Sequence, residues 1–433
     1  MKALIFVFSI SLFVCQIVSA QYADITIDSY DINTTVLSNS EAIDVKLICN
    51  ISVRNNSNAI QFIFSSESSL HSIKHLRDEK WINLPFVFAG KDSITITNPE
   101  KFFKDTKYAL QFAYSFPTSK LNDTLLALDR GNRWYPMIID QIVPFKLSCE
   151  VSKNYEVISS GDLLEITNFS EKSTYVWESR LPVFKIPLII YNPAIFKKST
   201  TTLANFYYLS IDSTKALKLL TDIGEAINYY NNILGPFPYK KISLIEIQDF
   251  PGINTGSGLL MVGTQSLEAA GNGYDDMLIL TIAQQWFGAG VFARFGEKGF
   301  LFLSLSLPHY LRLMFIRQNW GEEAFNESLN DPLNRYKKFA GKENDIPIID
   351  VDLPNTKEKG LILYAKGPFV FSKIENELGY GKWLSFLHDL YQNFCGKILT
   401  YDEFKDRLKK YDEEGKVLTL LNHLMTEKGI VEK

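Results

Sequence analysis

Histidine is scarce in this sequence, with five in 433 residues. Nowhere do two histidines form the pattern H-E-x-x-H, which presents two zinc ligands and a general base on one face of a helix. His71 and His75 stand four residues apart, but no third ligand or acid follows them at a useful spacing. We therefore expect a solvent-facing pair there rather than a metal site.

The sequence also lacks an excess of basic residues. Lys and Arg number 45 against 49 Asp and Glu, for a net charge of -4. Because a nucleic-acid-binding surface needs a basic stripe and none is visible, we expect no nucleic acid partner. Hydrophobic residues at 46% and aromatic residues at 13% argue against disorder. A chain of 433 residues is too long for one core, which predicts two domains.

Long apolar runs are confined to the first 20 residues. Lys2 precedes the apolar stretch Ala3–Val14, and V-S-A at residues 18–20 suits a cleavage site before Gln21. This pattern predicts a secretory signal peptide over residues 1–20, with an uncleaved anchor as the alternative. No later run is long enough to span a bilayer, so we expect a mature chain without a transmembrane segment, secreted to an extracellular or periplasmic location.

Three cysteines follow this segment, Cys49, Cys149 and Cys395, so they cannot all be paired. Cys49 and Cys149 lie in strand-like runs, and the sequence leaves open whether they form a disulfide or are buried thiols. Sequons support a secreted glycoprotein, although some arise by chance in an Asn-rich chain. They occur at Asn33, Asn50, Asn55, Asn122, Asn168 and Asn326.

Short strand patterns dominate the first half of the chain. Apolar and polar residues alternate over Ala42–Cys49, and similar runs recur as far as Val151. After Leu203 the pattern changes, and Ser213–Leu234 places apolar residues near the helical period of 3.6. We therefore predict an α+β fold, with face-to-face β-sheets over residues 21–200 and a mainly helical domain over residues 201–433.

The segment from Asp276 to Gly288 reads D-M-L-I-L-T-I-A-Q-Q-W-F-G. Its end resembles the zinc helix of the gluzincin aminopeptidases, the family of aminopeptidase N and leukotriene hydrolase, which reads H-E-x-x-H-Q-W-F-G. In this register the two zinc-binding histidines fall at Leu280 and Gln284, and the general-base glutamate falls at Thr281. The third ligand, a glutamate nineteen positions after the second histidine, falls at Leu303.

Other motifs of this family appear in the same order along the chain. R-W-Y-P at residues 133–136 resembles a W-Y-P of the first domain. Gly252 and Gly258 match the outer glycines of G-x-M-E-N-x-G, and Thr255 takes the place of the glutamate that holds the substrate amino terminus. Tyr364 begins a match to Y-x-K-G, whose tyrosine donates a hydrogen bond to the developing oxyanion.

The resemblance implies an N-terminal β-sandwich or saddle-like domain followed by a thermolysin-like α/β domain, with the former substrate cleft between them. It also implies that the metal has been lost. Leucine has no lone pair for a cation, a glutamine amide is a poor zinc ligand, and threonine is no general base near neutral pH. We therefore expect no zinc, no other cofactor and no intact catalytic set, with Tyr364 alone retained.

Three functions remain open on this basis. The leading one is a secreted, catalytically inactive aminopeptidase-like protein, a pseudopeptidase, that binds a peptide or protein through the former cleft. The second is an active metallo-aminopeptidase with non-standard ligands, for which Asp275, Asp276, Glu297 and His309 lie near the motif. The third is a structural or surface protein that has only inherited the fold. The simultaneous loss of three ligands and the base favours the first.

Overall fold

A computed structural model of the chain describes residues 24–36, 41–118, 124–248, 250, 252–269, 276–352 and 356–430. The predicted signal peptide, the sequon at Asn122 and Asp275 lie outside the described residues. The contacts of the chain divide it into two compact units. The first contains residues 24–199, 205–213 and 241–265, and the second contains the rest. The boundary predicted near residue 200 stays a prediction.

The first unit is built mainly of β-strands. In chain order they are β1 (Ile25–Val36), β2 (Ala42–Val53), β3 (Ser57–Ile63), β4 (Ser69–Arg77), β5 (Lys80–Asn83), β6 (Phe86–Phe88), β7 (Ser93–Phe102), β8 (Lys107–Pro117), β9 (Leu125–Leu128), β10 (Val143–Ser152), β11 (Glu156–Ile158), β12 (Asp162–Asn168), β13 (Lys172–Val183), β14 (Leu188–Tyr191), β15 (Lys197–Thr200), β16 (Ala204–Tyr208), β17 (Ile242–Ile247), β18 (Ile253–Gly256) and β19 (Leu259–Gly263). A short 3-10 helix, Arg130–Asn132, follows β9.

Eight of these strands form the largest sheet, in the order β12-β13-β10-β1-β2-β8-β4-β5. Strands β1 and β10 pair in parallel, whereas β2 pairs with both of its neighbours in antiparallel register. Along β2, Ile43, Val45 and Leu47 are buried while Asp44 and Lys46 are exposed. This alternation confirms the strand predicted at Ala42–Cys49 and places one face of the sheet on the core.

Cys49 and Cys149 are free, buried thiols. Cys49 in β2 is paired with Tyr30 of β1, and Cys149 in β10 is paired with Thr34 of the same strand. Since β1 lies between them and their partners on it are four residues apart, the two cysteines are separated by more than two strand spacings, or more than about 9.6 Å. That distance exceeds the reach of a disulfide. Of the two possibilities left open by the sequence, the structure therefore has the buried thiols.

The two histidines spaced four apart lie on β4. His71 is exposed and its Nε2 lies 3.0 Å from the Ser115 hydroxyl. His75 is only 6% exposed, so the expectation of a solvent-facing pair is wrong for this residue. Burial, together with the nearby Arg77, lowers the pKa of His75, so the neutral imidazole is favoured.

Three smaller sheets complete the first unit. Two have three strands each, in the orders β11-β14-β9 and β3-β7-β6. The third has five strands in the order β15-β16-β17-β19-β18. Within it β17 and β19 are parallel, β18 pairs antiparallel with β19, and β18 is the terminal strand.

The second unit is mainly helical. Its α-helices, together with α2 at the junction, are α1 (Ser213–Ile233), α2 (Thr264–Ala269), α3 (Asp276–Ala283), α4 (Leu307–Lys337), α5 (Lys357–Leu361), α6 (Gly367–Leu378), α7 (Tyr380–Phe394), α8 (Tyr401–Lys409) and α9 (Lys416–Thr426). Two π-helices, Phe302–Ser306 and Ile362–Lys366, lead directly into α4 and α6. A 3-10 helix, Ile348–Asp350, and a two-stranded parallel pair, β20 (Phe292–Ala293) with β21 (Ile398–Leu399), complete this unit.

The order of sheets followed by helices makes the chain an α+β protein, which confirms the predicted fold class. The helix predicted over Ser213–Leu234 is α1, which ends one residue earlier. Among the residues that the structure describes, no helix is both long and apolar enough to span a membrane.

Candidate functional site

The helix that carries the zinc-ligand positions, α3, is enclosed by the protein. The backbone N–H of Gln284 donates to the carbonyl of Leu280 at 3.0 Å, so these two positions lie one turn apart on the same helix face. Leu280 is 2% exposed and Gln284 is 8% exposed. The hydroxyl of Thr281 is buried and donates to the carbonyl of Leu278 at 2.9 Å. Thr281 is therefore engaged with its own helix.

The Q-W-F-G sequence, residues 285–288, follows the end of α3 and packs against the rest of the second unit. Trp286 is fully buried, and its indole N–H donates to the carbonyl of Gly235 at 2.9 Å. The Trp286 ring packs against Tyr230 and Phe237, with centroids 5.3 and 5.4 Å away. Gly288 has φ of 137°, a conformation that side chains rarely adopt. The Q-W-F-G residues thus have a packing role in this chain.

Leu303, at the position of the third ligand, lies in the π-helix Phe302–Ser306 and is 3% exposed. The alternating leucines of this segment lie on a helical turn. Pro308 is the second residue of α4, which follows directly on this π-helix. The helical backbone therefore continues from this π-helix into α4.

The retained Tyr364 lies on the second π-helix, which packs tightly on the first. The Ser306 hydroxyl donates to the carbonyl of Leu363 at 2.7 Å, and a Cβ on Gly367 would overlap Ser306. The ring of Tyr364 lies 5.6 Å from that of His309. Burial raises the pKa of Tyr364, so its hydroxyl stays protonated. π-Helical turns occur often at functional sites, and here two of them are joined by one hydrogen bond.

Three of the alternative ligand candidates are held by arginines. Arg312 is buried, and it contacts Asp276 at 2.8 Å and the Nε2 of His309 at 3.3 Å. Burial and the Arg312 charge hold the pKa of His309 well below its ordinary value. Glu297 lies 3.9 Å from Arg294 instead. Across the described ranges, which exclude Asp275, no three His, Cys, Asp or Glu side chains are grouped to hold a metal ion.

The zinc that the resemblance implies does not fit these residues. Two of the three ligand positions carry buried leucine side chains, and the base position carries a hydroxyl bonded to its own helix. A catalytic zinc usually has three protein ligands, from His, Glu, Asp or Cys. We therefore assign no zinc-dependent step to these side chains, and the absence of zinc in solution stays a prediction.

Lys366 of the Y-x-K-G match has a structural role that the sequence did not reveal. It is 1% exposed and its Nζ donates to the carbonyl of Glu427, and burial lowers its pKa to about 8. The fully buried Asp345 accepts hydrogen bonds from the Tyr336 hydroxyl at 3.0 Å and from the N–H of Gly429 at 2.6 Å. Together these contacts hold the end of the described chain against the second unit's core.

In the first unit, the strand that matches G-x-M-E-N-x-G is β18, with its flanking turns. Gly252 and Gly258 have φ of 86° and 70°, which explains glycine at both outer positions of the motif. The N–H of Gly263 donates to the carbonyl of Gly252 at 2.8 Å and ties the start of the motif to β19. Thr255, at the glutamate position, is half-buried on this terminal strand.

A lysine that the sequence analysis did not single out lies on this strand. The Nζ of Lys185 donates to the side-chain oxygen of Asn254 at 2.6 Å and to the carbonyl of Thr255 at 3.3 Å. The Asn254 amide donates in turn to Asp129 at 2.9 Å. No local pattern marks Lys185, because it lies 69 residues from Asn254 in the chain. Only the fold brings them together.

The W-Y-P match is part of the core of the first unit. Trp134 is fully buried and its indole N–H donates to the carbonyl of Ile186 at 3.0 Å. The hydroxyl of Tyr135 accepts the N–H of Ile186 at 3.2 Å. These contacts give both aromatic residues a packing role beside the Pro136 turn.

Comparison with known proteins gives a clear result for structure only. No protein-family model and no curated protein sequence matches the chain. The M1 zinc metallopeptidase from Deinococcus radiodurans is 15% identical, with a TM-score of 0.71 over 93% of this chain and 94% of that one. A variant of it bound to a Tyr-Ser-Ala substrate is 13% identical, with a TM-score of 0.72 over 94% and 96%. Yeast LTA4 hydrolase is 15% identical, with a TM-score of 0.75 over 95% and 69%.

These likenesses establish the fold, which is that of the M1 zinc metallopeptidases, the aminopeptidase N-like and LTA4 hydrolase-like proteins. The resemblance drawn from the motifs is therefore confirmed at the level of the fold. The likeness extends over nearly the whole described chain, so it includes both the sheets and the helices.

Proposed function

We propose that this chain is a catalytically inactive, aminopeptidase-like protein that works by binding a peptide segment. The observation that carries the first half is the burial of hydrocarbon at Leu280 and Leu303, where this fold would otherwise hold zinc ligands. Burying a leucine side chain stabilises a fold by about 1.5–3 kcal/mol, whereas buried ligands without a metal would destabilise it. The region thus has a physical reason to be stable without zinc.

The second half of the proposal rests on β18. It is the terminal strand of its sheet, and Asn254 and Thr255 are only half-buried. Terminal strands bind extended peptides through backbone hydrogen bonds, which do not depend on catalytic side chains. A protein of the same fold has been seen with a Tyr-Ser-Ala substrate bound, which supports peptide binding as a property that could outlast catalysis. Secretion through residues 1–20 remains part of the proposal.

One observation favours an active enzyme instead. Arg312 brings Asp276 and His309 to the same guanidinium, close to the ring of Tyr364. Against this, the low pKa of His309 keeps it neutral, and the Asp276 carboxylate is paired with a cation. A neutral histidine can still bind a metal, so direct assay must separate the two functions.

Both halves can be tested on the purified chain. We expect no hydrolysis of a panel of fluorogenic aminoacyl amides, with or without added zinc, and saturable binding of acetylated nonapeptides by fluorescence polarisation. Hydrolysis that is abolished by a chelator and by His309→Ala would establish the active alternative. Failure of every peptide to bind would contradict peptide recognition and favour the structural role.

A further inference from the structure

The hydrogen bonds of β18 show which of its carbonyls face β19 and which face away. Gly252 accepts from Gly263 of β19, and successive residues of a strand point their backbone groups to opposite sides. The carbonyl of Thr255, three residues on, therefore points away from β19. This is the carbonyl to which Lys185 donates. The ammonium group of Lys185 thus lies at the outer edge of the terminal strand.

This ammonium has capacity for another acceptor. A lysine ammonium can donate three hydrogen bonds. In the described structure Lys185 donates two, to the side-chain oxygen of Asn254 and to the carbonyl of Thr255. Burial lowers the pKa of Lys185, so its positive charge is incompletely solvated. An oxygen acceptor with negative charge would compensate for that lost solvation.

The surrounding charges do not provide a binding place for a second cation. Residues 252–258 carry no charged side chain. The facing charged groups are Asp129, which is bonded to the Asn254 amide and the Gly131 N–H, and Arg130, whose guanidinium donates to the carbonyls of Phe184 and Ile138. Arg130 lowers the pKa of Lys185 further, whereas Asp129 opposes that effect. A second ammonium at this edge would meet Lys185 directly.

We propose that Lys185 determines the specificity of the β18 edge, which binds a peptide segment carrying a carboxylate and rejects a free amino terminus. The inference rests on the proposed peptide-binding function and names the chemistry of its ligand. The carboxylate forms a charge-assisted hydrogen bond with Lys185 while the peptide backbone pairs along β18. Like-charge contact with Lys185 excludes the ammonium that an aminopeptidase substrate would present.

The test uses an array of acetylated, amidated nonapeptides of Thr and Val in which Glu, Gln or Lys occupies each position in turn. Matched peptides with a Gln and a free carboxyl terminus, or with a free amino terminus, distinguish a side-chain carboxylate from a terminal one. We expect the best carboxylate peptide to bind about tenfold more tightly than its Gln counterpart, and the Lys and free-amine peptides to bind more weakly than Gln.

Three variants locate the effect. Lys185→Gln keeps hydrogen-bond donors without the charge and should abolish the preference for carboxylate, while Lys185→Arg should retain it. Lys197→Met, an exposed position on β15 at the other end of the same sheet, should leave the preference unchanged. Binding without charge preference, or a preference that persists in Lys185→Gln, would overturn this inference and leave peptide binding intact. The absence of binding by every peptide would overturn both.

Discussion

The residues at the zinc-ligand positions of the resemblance, in the second unit, and the residues around β18, in the first unit, differ in burial and polarity. Around α3 and the first π-helix, the former ligand positions are buried and two of them are hydrocarbon. Around β18 the side chains are polar and half-buried, and they form a hydrogen-bonded chain from Asp129 through Asn254 to Lys185. The first set of positions is buried, and the second set lies on a polar, partly accessible edge.

Under the proposed function, this difference would be an example of peptide recognition that outlasts catalysis in one fold. A metal centre depends on particular lone pairs, so a few substitutions remove it completely. A strand edge recognises a peptide through its own backbone, so the same degree of substitution changes selectivity and leaves the edge in place. Thr255 and Lys185 would change which peptides this strand edge selects. Leucine at positions 280 and 303 would remove the metal-dependent reaction.

We expect the largest loss of stability from placing a glutamate at residue 303, the third zinc-ligand position of the resemblance. We expect Leu303→Glu to lower the free energy of unfolding by more than about 3 kcal/mol, because it places a carboxylate at a position that is only 3% exposed. Leu303→Met should cost less than about 1.5 kcal/mol, since it conserves volume and polarity. Urea unfolding followed by circular dichroism measures both. A loss below about 1 kcal/mol for the glutamate variant would show that this position is solvated.

A smaller effect should follow from pushing apart the two π-helices. Gly367→Ala places a Cβ against Ser306, and we expect a loss of about 1–3 kcal/mol from overpacking. Gly360→Ala on α5 is the matched control, since its Cβ would meet nothing within 4 Å and should be neutral or stabilising. Thermal unfolding of both variants provides the comparison. Equal melting temperatures would argue against close packing at Ser306.

The sheet that contains β18 offers a pH-dependent test of stability. Glu246 on β17 is fully buried and accepts the N–H groups of Leu209 and Ser210, at 2.7 and 3.0 Å, and the Thr264 hydroxyl at 2.7 Å. Burial alone would raise the pKa of Glu246, but these hydrogen bonds outweigh it and bring the pKa below the ordinary 4.5. Its stabilisation should therefore be complete above that pH and be lost as the pH falls through the lowered value.

We accordingly expect Glu246→Gln to destabilise the protein by about 1–3 kcal/mol at pH 7, and the difference from the unaltered protein to shrink at acidic pH. Urea unfolding at a series of pH values measures this. Glu323→Gln, at an exposed position, should have little effect at any pH. A constant difference across the series would mean that the charge of Glu246 does not contribute.

Periodicity in the sequence was enough to predict much of the fold. The alternation at Ala42–Cys49 and the 3.6-residue spacing of Ser213–Leu234 each express burial of one face, and the structure has a strand and a helix there. The motif order was enough to predict the fold class. These features are local, or are ordered simply along the chain, so a sequence displays them directly.

Contacts between distant segments could not be predicted in the same way. His75 is buried on the same side of β4 as Ile73, with its ring 6.4 Å from that of Tyr108 on β8, which its spacing from His71 does not reveal. Asp345 accepts a hydrogen bond from Gly429, 84 residues away, and Lys185 donates one to Asn254, 69 residues away. The π-helical turn that contains Leu303 is bonded through Ser306 to Leu363, 57 residues away. In each case the determining partner is remote in sequence.

The most direct test of the central claim is the zinc content of the purified chain after incubation with excess zinc and removal of the unbound metal. Inductively coupled plasma mass spectrometry should then find far less than one zinc per chain, because the side chains at 280, 284 and 303 are two leucines and a glutamine. A stoichiometry close to one that falls to the background in a His309→Ala variant would contradict the account.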